Sequence, residues 1–211
     1  MKKITALFLL SVLFISSFST ISAQTSNEVL IKNATILTAA KGTLQGSDIL
    51  IQNGKIAKIG KGLTTTGRTI DATGKFVSPG IIDAHSHTMQ DATNEVGFKV
   101  TSMTRIRDVL NPNDISVYRA LAGGVTAANL LHGSANPIGG LNSVVKFKWG
   151  KPVEDFPVPD APPGIKFALG ENPKRQNPGQ PVRYPRTRMG TVEVMRDAFL
   201  RARDYRQSWA D

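Results

Sequence analysis

The periodicity of the chain changes at Pro79-Gly80, and that change constrains the fold more than any other feature of the sequence. Before it, from residue 29 to 77, short apolar stretches alternate with tight turns: VLIKNATILT, DILIQNGKIAKIG and RTIDATGKFV. Asn53-Gly54 lies between Ile49 and Ile51 on one side and Ile56 and Ile59 on the other. An Asn-Gly pair in that setting specifies a two-residue type I′ hairpin, because both turn residues must take positive φ. Residues 24–79 thus predict a small antiparallel, β-sandwich-like domain whose apolar face needs a further layer.

After Gly80, apolar runs alternate with helical stretches. GIIDAHSH predicts a buried strand, NPNDISVYRALAGG a helix beginning near Asn113 and stopped by Gly123-Gly124, and VTAANLLHG a second apolar strand. Strand, helix and strand in that order form a βαβ unit, with parallel strands and a right-handed connection. SVVKFKW (143–149) and GIKFALGEN (164–172) predict further strands, separated by GKPVEDFPVPDAPPG, whose five prolines rule out a helix. At the end of the chain Met195, Ala198, Phe199, Ala202, Tyr205 and Trp209 fall at helical spacing and predict an amphipathic helix with this stripe facing a core.

Residues 1–23 read as a secretory signal: Lys2 and Lys3, an apolar run from Ile4 to about Phe18, then small polar residues ending in Ala23. Ser11, Ser16 and Ser17 interrupt the run, whereas a membrane span needs about 20 mainly apolar residues. The expectation is an exported protein, periplasmic or extracellular, with no membrane association after cleavage. The chain has no cysteine, so its fold must rest on a packed core or a bound metal. The net charge of +10 owes much to arginines in the last forty residues, interleaved with Glu193, Asp197 and Asp204. That interleaving describes a solvated helix face, and no nucleic-acid partner is expected.

The chain has three histidines, and two of them, His85 and His87, are separated only by Ser86. In a strand, side chains two apart share a side, so the two imidazoles project together and each can reach one cation at about 2.1 Å. Asp83 precedes them on the same side.

VSPGIIDAHSH, preceded by ILIQNGKIAKIG and IDATGKF, resembles the amidohydrolase superfamily of metal-dependent hydrolases, including its imidazolonepropionase-like and dipeptidase-like members. GVTAANLLHGSANPIGG and IKFALGENPKR extend the resemblance over residues 28–211. It implies an α/β fold: a small β-sandwich followed by a (β/α)₈ barrel of the TIM type, with residues 80–211 its N-terminal half. It also implies His85 and His87 as ligands of a divalent metal, most often zinc. A bridging carboxylate or carboxylated lysine is implied as well, and two residues on one predicted strand are candidates. Glu171 and Lys166 are five apart and would face opposite sides of an unbroken strand. Glu171 is preferred, since catalytic groups of such barrels gather at the C-terminal strand ends; Lys166 is the alternative. His132, closing the second apolar strand, is assigned to substrate binding, with a hydrogen-bonded structural histidine as the other reading.

A complete barrel takes about 250 residues, and the stretch from Gly80 to Asp211 is about half of that. The resemblance further implies histidines on two later strands and an aspartate on the last, and no histidine follows His132. The expectation is therefore the front part of a metal-dependent amidohydrolase that cuts C–N bonds in amide, cyclic amide or peptide substrates through a metal-activated water. It would contain no catalytic base and be inactive alone. The alternative is a non-catalytic fragment that pairs with a complementary C-terminal half or with a second copy.

Overall fold

The computed structural model describes residues 27–175 and 183–210. The expected leader, residues 1–23, lies outside them. The chain divides into two compact units, one running to Pro79 and the other from Gly80.

In the first unit, β1 (Glu28–Leu37) is the hub of a five-stranded sheet. β2 (Thr43–Gln52) pairs with it antiparallel and turns through Asn53-Gly54 into β3 (Lys55–Gly60). Asn53 and Gly54 take φ of 51° and 73°, as a type I′ turn demands. On its other side β1 takes β4 (Arg68–Asp71) and then β5 (Phe76–Val77), both parallel. The expected purely antiparallel sheet is thus corrected. Leaving β3, the chain passes to the far edge of β1 and re-enters in β1's own direction. Ala34, Ile36, Ile49 and Ala72 form the core of this unit. Asp48 is buried beside them and accepts the backbone N–H of Asn33 and of Leu63, each at 2.9 Å. The Asn33 bond foremost holds its carboxyl below the usual carboxylate range, against the opposing effect of burial.

The second unit opens on a βαβ unit: β6 (Ile81–Ser86), α1 (Ile115–Ala122) and β7 (Val125–Leu130), with the strands parallel. Asp114 caps α1, accepting from Ser116 N at 2.9 Å while its second oxygen accepts from Met89 N at 3.1 Å. Met89, Ile106, Val117, Ala128, Leu130, Val145, Phe147 and Phe156 pack into one core between the helix and the sheet.

β9 (Ser143–Lys146) returns antiparallel to β7, and β8 (Ile138–Leu141) pairs antiparallel with β10 (Ile165–Phe167). The expectation of parallel strands throughout therefore holds for β6 and β7 alone. A parallel return needs a long crossover, usually a helix, and the stretch between β7 and β9 holds β8 instead. β6 is an edge strand with Ile82 73% exposed, not the buried strand its apolar start predicts. The proline-rich connection contains a 3₁₀ turn, Val153–Asp155, directly after Pro152, and it delivers Phe156 fully buried to the core.

α2 (Arg188–Ser208) is the predicted C-terminal helix, capped by the Thr187 side chain. Its stripe does not face a core: Phe199, Tyr205 and Trp209 are exposed, and the buried residues are Gly190 and Thr191 in the first turn. Phe199 stacks on Phe167 of β10, ring centroids 6.2 Å apart. The remaining length carries ion pairs such as Arg201 with Asp197 at 2.8 Å, which keep a helix in water.

Candidate metal centre

Ser86, the last residue of β6, is buried and stands in register with Leu130, a core residue of β7. His85 and His87 flank it and project to the opposite side. Their rings meet edge to face, centroids 5.3 Å apart. The strand is irregular here, because Asp83 Oδ1 accepts the His85 N–H at 3.1 Å and the register with β7 shifts between Asp83 and Ser86.

His87 Nδ1 lies 2.9 Å from the carbonyl oxygen of Leu131. A carbonyl only accepts, so Nδ1 carries the proton and the Nε2 lone pair stays open. Histidines that ligate metals are held in this way, with the second ring nitrogen on a carboxylate or main-chain carbonyl. His85 Nε2 lies 3.2 Å from Nζ of Lys166, which is only 9% exposed in β10. Desolvation of the ring foremost, then the Lys166 charge and His87, lower the His85 pKa; Asp83 pulls the other way. Burial likewise lowers the pKa of Lys166. Both shifts favour neutral groups, whose lone pairs can serve a cation.

Of the two candidates for a third ligand, Lys166 is the one beside the histidines. Glu171 flanks a 3₁₀ turn, Asn172–Lys174, where its exposed carboxylate bonds to Lys174 Nζ at 2.8 Å. That hydrogen bond is the main reason its pKa is lowered. The expected strand to residue 172 is only Ile165–Phe167, so the five-residue spacing that placed Glu171 at the strand end does not apply. The signal was present in Gly170, which weakens a strand interior, and in Pro173, which lacks an N–H for a ladder. Lys166 faces inward in place of reaching to solvent at a strand edge.

His132 is 2% exposed and both ring nitrogens are used: Nε2 accepts the Glu95 N–H at 2.8 Å and Nδ1 donates to Gly133 O at 2.9 Å. A Cβ at Gly139 would come within 2.7 Å of its Nδ1, so the backbone of β8 also packs on the ring. The assignment to substrate binding gives way to a structural one: the ring ties the loop around Glu95 to the end of β7. Gln90, which the sequence reading did not single out, donates from Nε2 to the same Leu131 oxygen at 3.2 Å.

Among the described residues no three His, Cys, Asp or Glu side chains cluster as a metal site. The donor set at β6 is two imidazoles and one buried amine. It fits a divalent cation if the amine is carboxylated, since a protonated amine has no lone pair and a carbamate presents carboxylate oxygens.

No family model matches the chain. An amidohydrolase, tasK, of Hapsidospora irregularis is 33% identical over 178 residues, covering 74% of this chain and 18% of that protein. A D-hydantoinase of Rhizobium radiobacter is 48% identical over 60 residues, 28% of this chain and 13% of that enzyme. The solved structure of an amidohydrolase from Thermotoga maritima MSB8 superposes with a TM-score of 0.75 at 39% identity, over 86% of this chain and 49% of its own. The chain spans less than a fifth of these two curated relatives and about half of the solved one.

Proposed function

Because the chain belongs to the amidohydrolase superfamily, matching the N-terminal part of its members, we propose that it carries the metal-binding end of a hydrolase for C–N bonds in small cyclic amides. The observation that carries this reading is the convergence of His85, His87 and the buried Lys166, with Nζ 3.2 Å from His85 Nε2. Cyclic amides are preferred to peptides because one matched relative is a D-hydantoinase.

Members of the superfamily generally depend on divalent metal; zinc is our choice for this chain, matching its imidazole donors. His85 and His87 would hold it through Nε2, with carboxylated Lys166 as the third group. When bound, such a metal lowers the pKa of a water to about 7 and polarises the scissile carbonyl. The chain's own residues hold proton positions: Leu131 O keeps His87 protonated at Nδ1, and the Lys166 amine, where uncarboxylated, donates to His85 Nε2. Asp83 Oδ1 accepts the His85 N–H, and the general base is assigned elsewhere because the resemblance puts it on a later strand. We place it on a complementary C-terminal segment or a second copy, which would also extend the βαβ unit toward a barrel. Export of the mature chain belongs to the same proposal, motivated by residues 1–23.

The test is zinc affinity measured by chelator competition, with and without bicarbonate. Bicarbonate should tighten binding in the wild-type chain and have no effect in Lys166→Met, while His85→Ala with His87→Ala should abolish binding. Bicarbonate dependence that persists in Lys166→Met would remove the lysine from the site. The isolated chain with zinc should hydrolyse hydantoin no faster than zinc alone; turnover lost in the double alanine variant would show that the chain suffices by itself.

A further inference from the structure

The Leu131 carbonyl that orients His87 is itself held by a second side chain. Gln90 Nε2 donates to it at 3.2 Å, beside His87 Nδ1 at 2.9 Å, so both lone pairs of this oxygen are occupied. The Leu131 N–H donates to Ser86 O at 3.0 Å, which fixes the other side of the residue to β6. The orientation of the Gln90 amide is set by this bond, since exchanging its O and N would put two oxygens face to face.

Gln90 does this at a cost to the fold. Its Oε1 is buried and, among the described residues, has no hydrogen-bond partner. Leaving a buried acceptor unmatched is unfavourable, and an apolar side chain of the same length would avoid it. The backbone leading into Gln90 is also in a costly conformation: Met89, fully buried, takes φ of +55° directly after the histidine segment. The Met89 N–H and C=O are tied to Asp114 Oδ2 at 3.1 Å and Asn111 N at 2.9 Å, so this turn is fixed and aims Gln90 back at β7. Unmatched buried polar atoms and positive φ on a non-glycine residue concentrate where a fold is shaped for a site.

We infer that Gln90 is a positioning residue for His87, fixing the Leu131 carbonyl and through it the ring tautomer and the direction of Nε2. The inference rests on the metal-binding reading above. It is tested in the full chain with Gln90→Met, which keeps length and removes the donor, and with Gln90→Glu, which keeps the acceptor and removes the donor. Three quantities are read: the nitrogen shifts of the His87 ring at pH 8, where a free imidazole is neutral; the zinc affinity; and the thermal midpoint.

Wild type should show a single Nδ1–H tautomer at His87. Both variants should show a mixture and about tenfold weaker zinc binding, the usual consequence of losing an outer partner of a ligand. Gln90→Met should keep or raise the thermal midpoint; if it fails to fold, Gln90→Glu decides. An unchanged tautomer with zinc affinity within twofold would overturn the role. If wild type binds no zinc, the metal reading falls, and the tautomer still decides whether Gln90 sets the ring.

Discussion

Two neighbouring parallel strands, β6 and β7, have histidines at or just past their ends, His85 and His87 at the first and His132 two residues beyond the second, and the two places differ in what is left over on the rings. At the end of β7, His132 is buried with both nitrogens consumed by main-chain groups and the backbone of Gly139 packed on it. At the end of β6, each exposed ring has an unspent capacity. His87 has Nε2 open, and His85 Nε2 is engaged by the Lys166 amine alone, a contact that carboxylation of the lysine would release. Position in a fold does not by itself make a histidine a ligand. What matters is whether hydrogen bonding inside the protein has exhausted it.

Deleting each kind of histidine should have opposite consequences. His132→Ala leaves the Glu95 N–H unmatched and opens a cavity; we expect a loss of about 3 kcal/mol in urea unfolding. His85→Ala with His87→Ala should change stability by no more than about 1 kcal/mol, as surface substitutions do, while zinc binding disappears. Equal destabilisation by the two sets would erase the distinction.

A smaller effect should come from Gly139→Ala, which pushes a methyl against His132. Overpacking of this kind costs about 1–3 kcal/mol, so calorimetry should show a lowered midpoint, with zinc binding to the folded chain unchanged.

Asp48 and Asp114 belong with His132, since their oxygens are taken by main-chain N–H groups. Both pKa values are lowered, by the Asn33 and Ser116 backbone bonds respectively. A depressed folded pKa adds stability that is fully present above the unfolded value of about 3.9 and is lost as pH falls through the folded value. Urea midpoints should therefore hold at pH 5 and fall below about pH 4, and Asp48→Asn should flatten that fall for the first unit.

The smallest effect is expected at Glu171. Its exposed pair with Lys174 contributes little, so Glu171→Gln should leave the urea midpoint where it is and shift zinc affinity by less than twofold. A large loss of zinc affinity would bring this carboxylate back as a ligand.

How far these features can be read from the sequence depended on whether the determinant was local. The Asn53-Gly54 hairpin, the Asp114 to Gly123 helix and the projection of His85 with His87 follow from turn chemistry, capping and strand alternation within a few residues. The parallel pairing of β1 with β4, forty residues on, is set by chain routing that no local pattern encodes. Lys166 met His85 across eighty-one positions, and its choice over Glu171 turned on a strand ending at Phe167, five residues before the pattern suggested. Likewise the stripe of α2 has the right spacing for a core, but spacing specifies a face and not what covers it.

X-ray absorption on the zinc-loaded full chain reads the ligands of the metal directly. Two imidazole nitrogens are expected at about 2.0–2.1 Å with the outer-ring scattering of histidine, and that signature should be lost in His85→Ala with His87→Ala. Zinc whose imidazole scattering is absent, or is unchanged in the double variant, would contradict this expectation.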